Sequence, residues 1–280
     1  MKKKKILVEF RKIVAAGNDF IVIDQRRIKT KSCDYKNLAK KMCNRTYGIG
    51  ADGLLVLSAS RIADATMRIF NADGSEAEMC GNGARCAAYV IAHSAGTPHR
   101  RTITFETLAG IIRAHVRGTL VRIGLTEPAT IQLNIPVTPG KKKFHAHFIN
   151  TGVPHVVIPV NDIDDADLGT IGRRIRYHSH FAPGGTNVNF LKIIRNNHIA
   201  VRTYERGVEA ETLACGTGAA ASALITSCIT KRPLCAQIIT VITKSSEIIK
   251  VYFTKTSPRQ FTKVYLEGDI RHVCTGGYYV

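Results

Sequence analysis

The sequence predicts an α+β fold built from two similar, strand-rich domains. Short runs rich in β-branched residues, bounded by turn residues, recur along its 280 residues, a pattern typical of sheets. Helical patterns are few, and segments of the second half repeat segments of the first. With 45% hydrophobic residues, the chain has enough apolar side chains to give each domain a core.

The predicted elements are short. The predicted strands are residues 21–24, 54–57, 103–105, 121–125, 156–160, 188–194, 238–242, 248–253 and 264–266. The predicted helices are residues 35–45, 84–93, 168–178 and 219–229. Helices 84–93 and 219–229 are apolar nearly all round, so we expect each to be buried inside a curled sheet.

An internal repeat organises the chain at a constant, gap-free offset of 135 residues, the separation of Cys80 from Cys215. Four segments of the first half, namely 16–23, 50–52, Glu76 and 80–84, lie over 151–158, 185–187, Glu211 and 215–219. We therefore predict domains at 1–130 and 131–280, with the last residues able to return to the first domain. The Pro-containing stretch 127–140 is the expected boundary.

Composition excludes several classes of protein. The eight cysteines are irregularly spaced, without a Cys-x-x-Cys pair or zinc-finger spacing, so we expect neither a disulfide scaffold nor a metal site. No stretch is long and apolar enough to span a bilayer. The basic start at Lys2–Lys5 is not followed by the apolar region of a signal peptide, which predicts a cytoplasmic protein.

The formal net charge of +19 has two interpretations. One is a nucleic-acid or anionic-membrane partner, and the other is a solvated basic surface. The Lys and Arg residues are spread along the chain, Trp is absent and no nucleic-acid-binding motif is present. These features favour the basic surface, so we expect no nucleic-acid or membrane partner.

Cys80 and Cys215 are the candidate catalytic residues. Each precedes a Gly-x-Gly turn and an apolar helix, which places its sulfur at a helix N-terminus, where negative charge is favoured and thiols become reactive. A single cysteine before glycine is also compatible with a buried thiol in a tight turn. Two copies at repeat-related positions favour the reactive interpretation.

Two thiols related by a pseudo-twofold axis match the chemistry that inverts a carbon centre. One thiolate removes the α-proton from one face while the other thiol returns a proton to the opposite face. The carbanion needs stabilisation by donors aimed at the substrate carboxylate, and the two helix N-termini can provide them. No lysine stands in a context typical of pyridoxal phosphate enzymes, so we expect no cofactor.

These residues resemble the diaminopimelate epimerase family over nearly the whole chain. The resemblance is carried by residues 17–20, 48–53, 70–76, 80–86, 150–155, 186–187, 205–207 and 214–218. It implies an isomerase that converts LL- to meso-diaminopimelate without a cofactor, in lysine and peptidoglycan precursor biosynthesis. It also implies two barrel-like domains, each around a central helix, and a homodimer.

The resemblance assigns a role to each candidate residue. It implies Cys80 and Cys215 as acid and base, backbone donors at Gly81, Asn82, Gly216 and Thr217, pKa-tuning by His155 and Glu205, and substrate binding by Asn18, Asn71, Asn187, Glu205 and Arg206. Arg suits a carboxylate and an acid suits an ammonium group. A surface ion pair for Glu205 and Arg206, and a purely structural role for His155, remain open.

Departures from the family pattern leave the substrate open. Gly53 and Val153 stand where some members carry Gln and Asn as substrate ligands, and residues 207–212 are one residue longer than the common spacing. The alternatives are a broader amino-acid racemase or a proline-type racemase of the same fold, and, in another class, a basic nucleic-acid-binding protein. Both cysteines and Glu205-Arg206 favour the epimerase.

Overall fold

A computed structural model describes residues 6–26, 34–94, 101–164 and 166–280; the basic cluster Lys2–Lys5 lies outside these ranges. The strands of the first half are β1 Leu7–Ala15, β2 Asn18–Asp24, β3 Gly53–Ser58, β4 Ala65–Asn71, β5 Glu76–Ala77, β6 Arg101–Thr107, β7 Gly110–Arg117 and β8 Leu120–Gly124. Those of the second half are β9 Ala129–Val137, β10 Phe144–Asn150, β11 Pro154–Pro159, β12 Asn187–Arg195, β13 His198–Glu205, β14 Ala210–Thr212, β15 Ala236–Ile242, β16 Ile248–Ser257, β17 Gln260–Asp269 and β18 Arg271–Tyr279. The α-helices are α1 Tyr35–Met42, α2 Gly81–His93, α3 Arg173–Arg176 and α4 Gly216–Ile229.

The chain forms two compact units. Unit 1 combines the described part of Met1–Ile123 with Gly268–Val280, and unit 2 is formed by the described part of Gly124–Glu267. The C-terminal strand β18 belongs to unit 1 because it pairs antiparallel with β1 along its length.

In unit 1 the strands are hydrogen-bonded in the order β18, β1, β2, β3, β4, β6, β7, β8, with β5 also on β4. In unit 2 the order is β9, β10, β11, β12, β13, β15, β16, with β14 also on β13. Each unit has two parallel pairs at equivalent places, β2 with β3 and β4 with β6, then β11 with β12 and β13 with β15. The repeat seen in the sequence is therefore a repeat of topology.

The expected gap-free offset is wrong by one residue in the middle of the repeat. β2 pairs Phe20 with Gly53, whereas β11 pairs His155 with Asn187. Since 155 is 135 after 20 but 187 is only 134 after 53, β12 and β13 are shifted by one position. Gly53 and Asn187 are therefore structural equivalents.

The offset between the two units is 134 residues in β12 and β13, and it becomes 135 again after the next turn. Phe70 pairs with Glu76 in unit 1, and Tyr204 pairs with Glu211 in unit 2, so the turn after β13 is one residue longer. This shift makes Glu205 the equivalent of Asn71. The extra residue in 207–212 compensates for a shorter connection earlier in the repeat.

The central helices of the two units are buried as predicted. α2 packs against β1, β2, β3, β4, β6 and β7, and α4 against the equivalent β10, β11, β12, β13, β15 and β16. Most side chains from Asn82 to Ala92 and all from Gly218 to Cys228 are buried. Small residues dominate both helices, so strands can approach from every side.

A buried lysine ends α4. The Lys255 side chain, only 3% exposed, donates from Nζ to the carbonyl oxygens of Ser227 at 2.8 Å and Arg232 at 3.1 Å. Carbonyls in the last turn of a helix lack helical partners, and a cation there is favourable. Lys255 therefore caps the central helix of unit 2.

Each predicted strand coincides with an observed strand, although 121–125 and 156–160 each extend one residue beyond it, and several alternating strands were missed. β1, β4, β7, β9, β10, β13 and β18 lie in stretches interspersed with polar residues. The stretch 127–140, expected to be a linker, contains β9, which pairs with β10. The helix predicted at 168–178 is a π-helical turn, Leu168–Gly172, followed by α3, because Gly169 and Gly172 weaken a regular α-helix.

Candidate active-site residues in the two units

Cys80 occupies the N-cap of α2, as its position before Gly81 predicts. Its backbone is extended, its carbonyl accepts from Ala84 N at 2.8 Å, and its Sγ accepts from Gly83 N at 3.5 Å. The thiol is half-buried. Free N–H groups and the helix dipole favour negative charge at this sulfur.

Cys215 occupies the same place in unit 2. It is the N-cap of α4, its carbonyl accepts from Ala219 N at 2.9 Å, and its Sγ lies 3.5 Å from Thr217 Oγ1. It too is half-buried and is not in a disulfide. Both units therefore present a thiol at the start of a buried central helix.

Other cysteines have different surroundings. Burial raises the pKa of the Cys43 thiol to about 12, and it also raises the pKa of Cys86. Cys235 and Cys274 are exposed and lie away from helix N-termini. Burial and helix-start position together distinguish Cys80 and Cys215 within the described chain.

Asn18 is next to Cys80. Its Oδ1 accepts from Cys80 Sγ at 3.9 Å, and its Nδ2 donates to Asp52 Oδ2. Arg45 bridges Asp52 and Asp19 with contacts of 2.7 and 2.8 Å. This ionic cluster orients the Asn18 amide beside the sulfur.

Asn71 and Asn82 are engaged with neighbouring side chains. Asn71 Nδ2 donates to Ser75 Oγ at 2.9 Å in the turn after β4. Asn82 Oδ1 accepts from Arg85 Nη2 at 2.8 Å, and both side chains are buried. Gly81 and Asn82 are therefore placed to donate through their backbone N–H groups at the start of α2.

In unit 2, Asn187 holds Arg206 in place. Its Oδ1 accepts from Arg206 N at 2.8 Å and its Nδ2 donates to Pro154 O at 3.0 Å. Arg206 Nη1 reaches Gly184 O at 3.3 Å. Asn187 thus ties the end of β13 to the start of β11, a contact that its predicted role does not describe.

Glu205 and His155 are the titratable groups of this region. Burial raises the pKa of the Glu205 carboxyl, an effect that the Thr212 hydroxyl opposes. Burial, with a smaller contribution from the nearby Arg206 charge, lowers the pKa of His155 to about 3. His155 is therefore neutral over the physiological pH range.

Thr151 links the turn before β11 to the turn that carries Cys215. Its Oγ1 donates to Thr217 O at 3.3 Å, and its backbone N donates to Val153 O at 3.1 Å. Val153 contributes a backbone carbonyl here, not the side-chain amide found in some members of the family.

Sequence reasoning missed two buried polar residues, Asn189 and Thr203. Asn189 Nδ2 lies 3.1 Å from His155 Nδ1, and Thr203 Oγ1 donates to Asn189 Oδ1 at 2.9 Å. The available signal was an asparagine in the middle of an otherwise apolar strand, because buried polar groups on strands require partners.

Neither a metal cluster nor a membrane span is found within the described ranges. No group of three or more His, Cys, Asp or Glu side chains there could hold a metal ion. No helix among the described residues is long and apolar enough to cross a bilayer.

Solved structures share this fold at low identity. A phenazine biosynthesis protein of the PhzF family from Bacillus anthracis superposes with a TM-score of 0.77 at 15% identity, covering 98% of this chain and 100% of that one. A probable proline racemase from Agrobacterium radiobacter K84 gives a TM-score of 0.71 at 15% identity, covering 96% and 92%. At this identity the likeness shows the fold alone, and it confirms the predicted mixed α/β class.

Sequence relatives are much closer. A diaminopimelate epimerase of Aquifex aeolicus is 39% identical over 282 aligned positions, covering 96% of this chain and 97% of the relative. One of Hydrogenobaculum sp. is 41% identical over 276, covering 95% and 96%. The family model described as diaminopimelate epimerase matches residues 10–128 and 147–248. With both cysteine motifs inside these matches, the chain belongs to the diaminopimelate epimerase family.

Proposed function

We propose that this chain is an isomerase that interconverts LL- and meso-diaminopimelate, with Cys80 and Cys215 as its two acid/base residues. One observation carries the proposal: each unit places a half-buried cysteine at the N-cap of its buried central helix. The family and its full-length relatives support the substrate. A place in lysine and peptidoglycan precursor biosynthesis is proposed on the same ground.

The reaction exchanges one proton for another. The thiolate of one cysteine takes the α-proton and becomes a thiol, leaving an electron pair on the α-carbon. The thiol of the second cysteine donates its proton to the opposite face and becomes a thiolate, so the net charge is unchanged. A two-base inversion requires that each unit contributes one cysteine to the same stereocentre.

Donors at the helix starts stabilise the charge that develops. Backbone N–H groups at Gly81, Asn82, Gly216 and Thr217 are suited to a carboxylate onto which the carbanion delocalises. Arg206 suits a second carboxylate, and Glu205 and Asn71, which are structural equivalents, suit the ammonium groups. In unit 1, Asn18 is held beside Cys80 by Asp52 and is proposed to bind the substrate there.

His155 and Glu205 are proposed to tune the protonation of the cysteines. His155 is wholly buried and neutral, and Glu205 is a carboxyl whose pKa burial raises. A surface ion pair for Glu205 is disfavoured because the carboxyl is largely removed from water. Both groups belong to unit 2, while their structural equivalents in unit 1 are Phe20 and Asn71.

A homodimer and a cytoplasmic location are further parts of the proposal. Exposed apolar side chains, Leu7, Val273 and Tyr279, lie on the paired strands β1 and β18, and a second copy could cover them. The proposed chemistry needs reduced thiols, which favours the cytoplasm.

The direct test is turnover. Purified protein incubated with LL-diaminopimelate should produce the meso isomer, measured by chiral chromatography, with proline and other amino acids as competing substrates. Cys80→Ala and Cys215→Ala should each lower kcat by about 10³-fold or more, while Cys235→Ser at an exposed site should retain activity. Turnover of proline in preference to diaminopimelate, or normal rates in either alanine variant, would refute the proposal.

A further inference from the structure

The first turns of the two central helices, α2 and α4, contact different kinds of side chain. Beneath Gly83 in α2, an added Cβ would meet apolar Leu55 at 3.3 Å and Phe20 at 3.5 Å. Beneath the equivalent Gly218 in α4, it would collide with Asn189 Oδ1 and lie 3.3 Å from Cys215 Sγ. The side chains that pack against the helix start are therefore apolar next to Cys80 and polar next to Cys215.

Strand pairing identifies the residues exchanged. His155, Asn189 and Thr203 in unit 2 stand where Phe20, Leu55 and Ile69 stand in unit 1. The relative exposures of the three polar residues are 0%, 0% and 3%. Burying three polar side chains costs free energy unless each is hydrogen-bonded, so the exchange needs an explanation beyond packing.

The amide of Asn189 has a single orientation. Val156 O, which can only accept, lies 2.9 Å from one end of the amide and fixes that end as Nδ2. Thr203 Oγ1 then donates to Oδ1 at the other end, at 2.9 Å. A backbone carbonyl and a hydroxyl thus settle an assignment that distances alone leave ambiguous.

This orientation decides which ring nitrogen of His155 carries the proton. Asn189 Nδ2 lies 3.1 Å from His155 Nδ1. Because Nδ2 is a donor, Nδ1 must be the acceptor, and in a neutral ring the proton is then on Nε2. Nε2 is buried and has no hydrogen-bond partner among the described residues, so a single N–H donor is left for a bound molecule.

We propose that Asn189 is a positioning residue: held by Val156 O and Thr203, it locks His155 as a neutral ring whose only donor is Nε2–H. Arg206 is the charged group that acts on His155, and its positive charge also disfavours a second proton on the ring. His155 therefore acts as a hydrogen-bond donor to substrate or thiolate and does not shuttle protons as an imidazolium. The catalytic part of this inference rests on the proposed function; the assignment of the tautomer does not.

The tautomer can be measured without any activity assay. In ¹⁵N NMR spectra of the full-length protein, with His155 assigned by comparison with His155→Gln, Nδ1 should show the shift of an unprotonated nitrogen and Nε2 that of a protonated one. This pattern should persist from about pH 5 to 9. A proton on Nδ1, or a ring that becomes charged near the ordinary histidine pKa, would overturn the inference whether or not the protein is an epimerase.

Two variants test the lock itself. Asn189→Asp replaces the donor by an acceptor, so Nδ1 should gain a proton and kcat should fall about 10- to 100-fold, the usual effect of removing an orienting partner, with a smaller change in KM. Thr203→Val should retain the tautomer, because Val156 O still pins Nδ2, and lower kcat less. Ile69→Val, at the equivalent site in unit 1, is the matched control and should change neither. An unchanged tautomer and kcat in Asn189→Asp, or a Thr203→Val defect larger than that of Asn189→Asp, contradicts the proposal.

Discussion

At the scale of single residues, the unit 2 site favours function over stability. Glu205 is a carboxyl whose pKa is raised by burial, and His155 is buried without a partner for Nε2 within the described chain. The folded protein would be more stable with an apolar residue at either position, and unit 1 has one, Phe20, at the position equivalent to His155. Such costs are typical of groups retained for chemistry.

Glu205→Gln should stabilise the protein and inactivate it. With a folded pKa above its ordinary 4.5, Glu205 favours folding only while protonated, and that contribution is lost as pH rises through the folded pKa. The variant should therefore gain about 1 kcal/mol of unfolding free energy at pH 8 and nothing below about pH 4. Urea melts at both pH values measure this difference; equal stabilities at pH 8 would show that the carboxyl is well solvated.

Sequence reasoning found the residues that lie in motifs and missed those that act through others. Cys80 and Cys215 were identifiable because a helix-start cysteine has a physical signature that recurs in the repeat. Asn189 stood out as a polar residue in an apolar strand, but the sequence alone does not show which groups Asn189 and Thr203 contact. Their role depends on strand pairings that bring residues 155, 189 and 203 together.

At the scale of elements, the central helices need small residues at their starts. Gly83 and Gly218 are equivalent, yet an added Cβ meets the flexible Leu55 side chain at the first and the fixed Asn189 oxygen at the second. Tolerance to substitution should therefore differ between the two helices although their sequence motifs match.

Gly218→Ala should be more damaging than Gly83→Ala. The clash with Asn189 should cost about 1–3 kcal/mol of unfolding free energy, whereas Leu55 can move by a few tenths of an ångström. Thermal denaturation compares the two variants, and kcat should fall further in Gly218→Ala because Cys215 Sγ is also in contact. Similar losses of stability in both variants would show that Asn189 is not held rigidly against the start of α4.

Lys255→Met should destabilise unit 2 without affecting the site directly. The substitution keeps an apolar stem but leaves the carbonyls of Ser227 and Arg232 without their donor, a loss of about 1.5–3 kcal/mol for bonds from a charged group. Chemical denaturation measures this loss, with Lys250→Met on the exposed face of β16 as control. A change below about 0.5 kcal/mol would mean that water satisfies these carbonyls.

Elements buried on both faces were predictable, whereas strands with one exposed face were predicted only in part: β8 and β16 were found, and others were missed. Continuous apolar runs gave β3, β11, β12 and both central helices. β7 and β9 alternate between buried and exposed residues and contain Arg, His, Gln or Pro, so composition hides their periodicity. The short π-helical turn at Leu168–Gly172 also depends on contacts that local propensity does not reveal.

At the scale of the whole molecule, the two units share one strand topology but differ in the polarity of the residues next to their central helices. The offset of the repeat predicted the equivalent elements, and the strand register corrected it by one residue. In both units a bidentate ion pair holds the hairpin before the cysteine, Arg68 with Glu76 and Arg202 with Glu211, with contacts of 2.7 and 2.6 Å. The side chains that pack against the two helix starts differ, with Leu55 and Phe20 in unit 1 and Asn189 in unit 2. The two cysteines therefore have unequal environments.

The assembly prediction concerns strands β1 and β18. Light scattering should give twice the chain mass for the wild type, because exposed Leu7, Val273 and Tyr279 favour burial against a second copy. Val273→Asp combined with Tyr279→Asp should give a folded monomer, whereas Val208→Asp, at an exposed apolar site in unit 2, should leave the mass unchanged. A monomeric wild type would refute this surface as a dimer interface.

The most direct test of the two-cysteine account is the isotopic content of the first product formed in heavy water. With protiated LL-diaminopimelate, meso product collected at low conversion should carry deuterium at the inverted carbon while the remaining substrate stays protiated, because the proton removed by one thiolate is not the one returned by the other thiol. Product that retains protium at that carbon would mean that a single base carries the proton across, and would contradict the account.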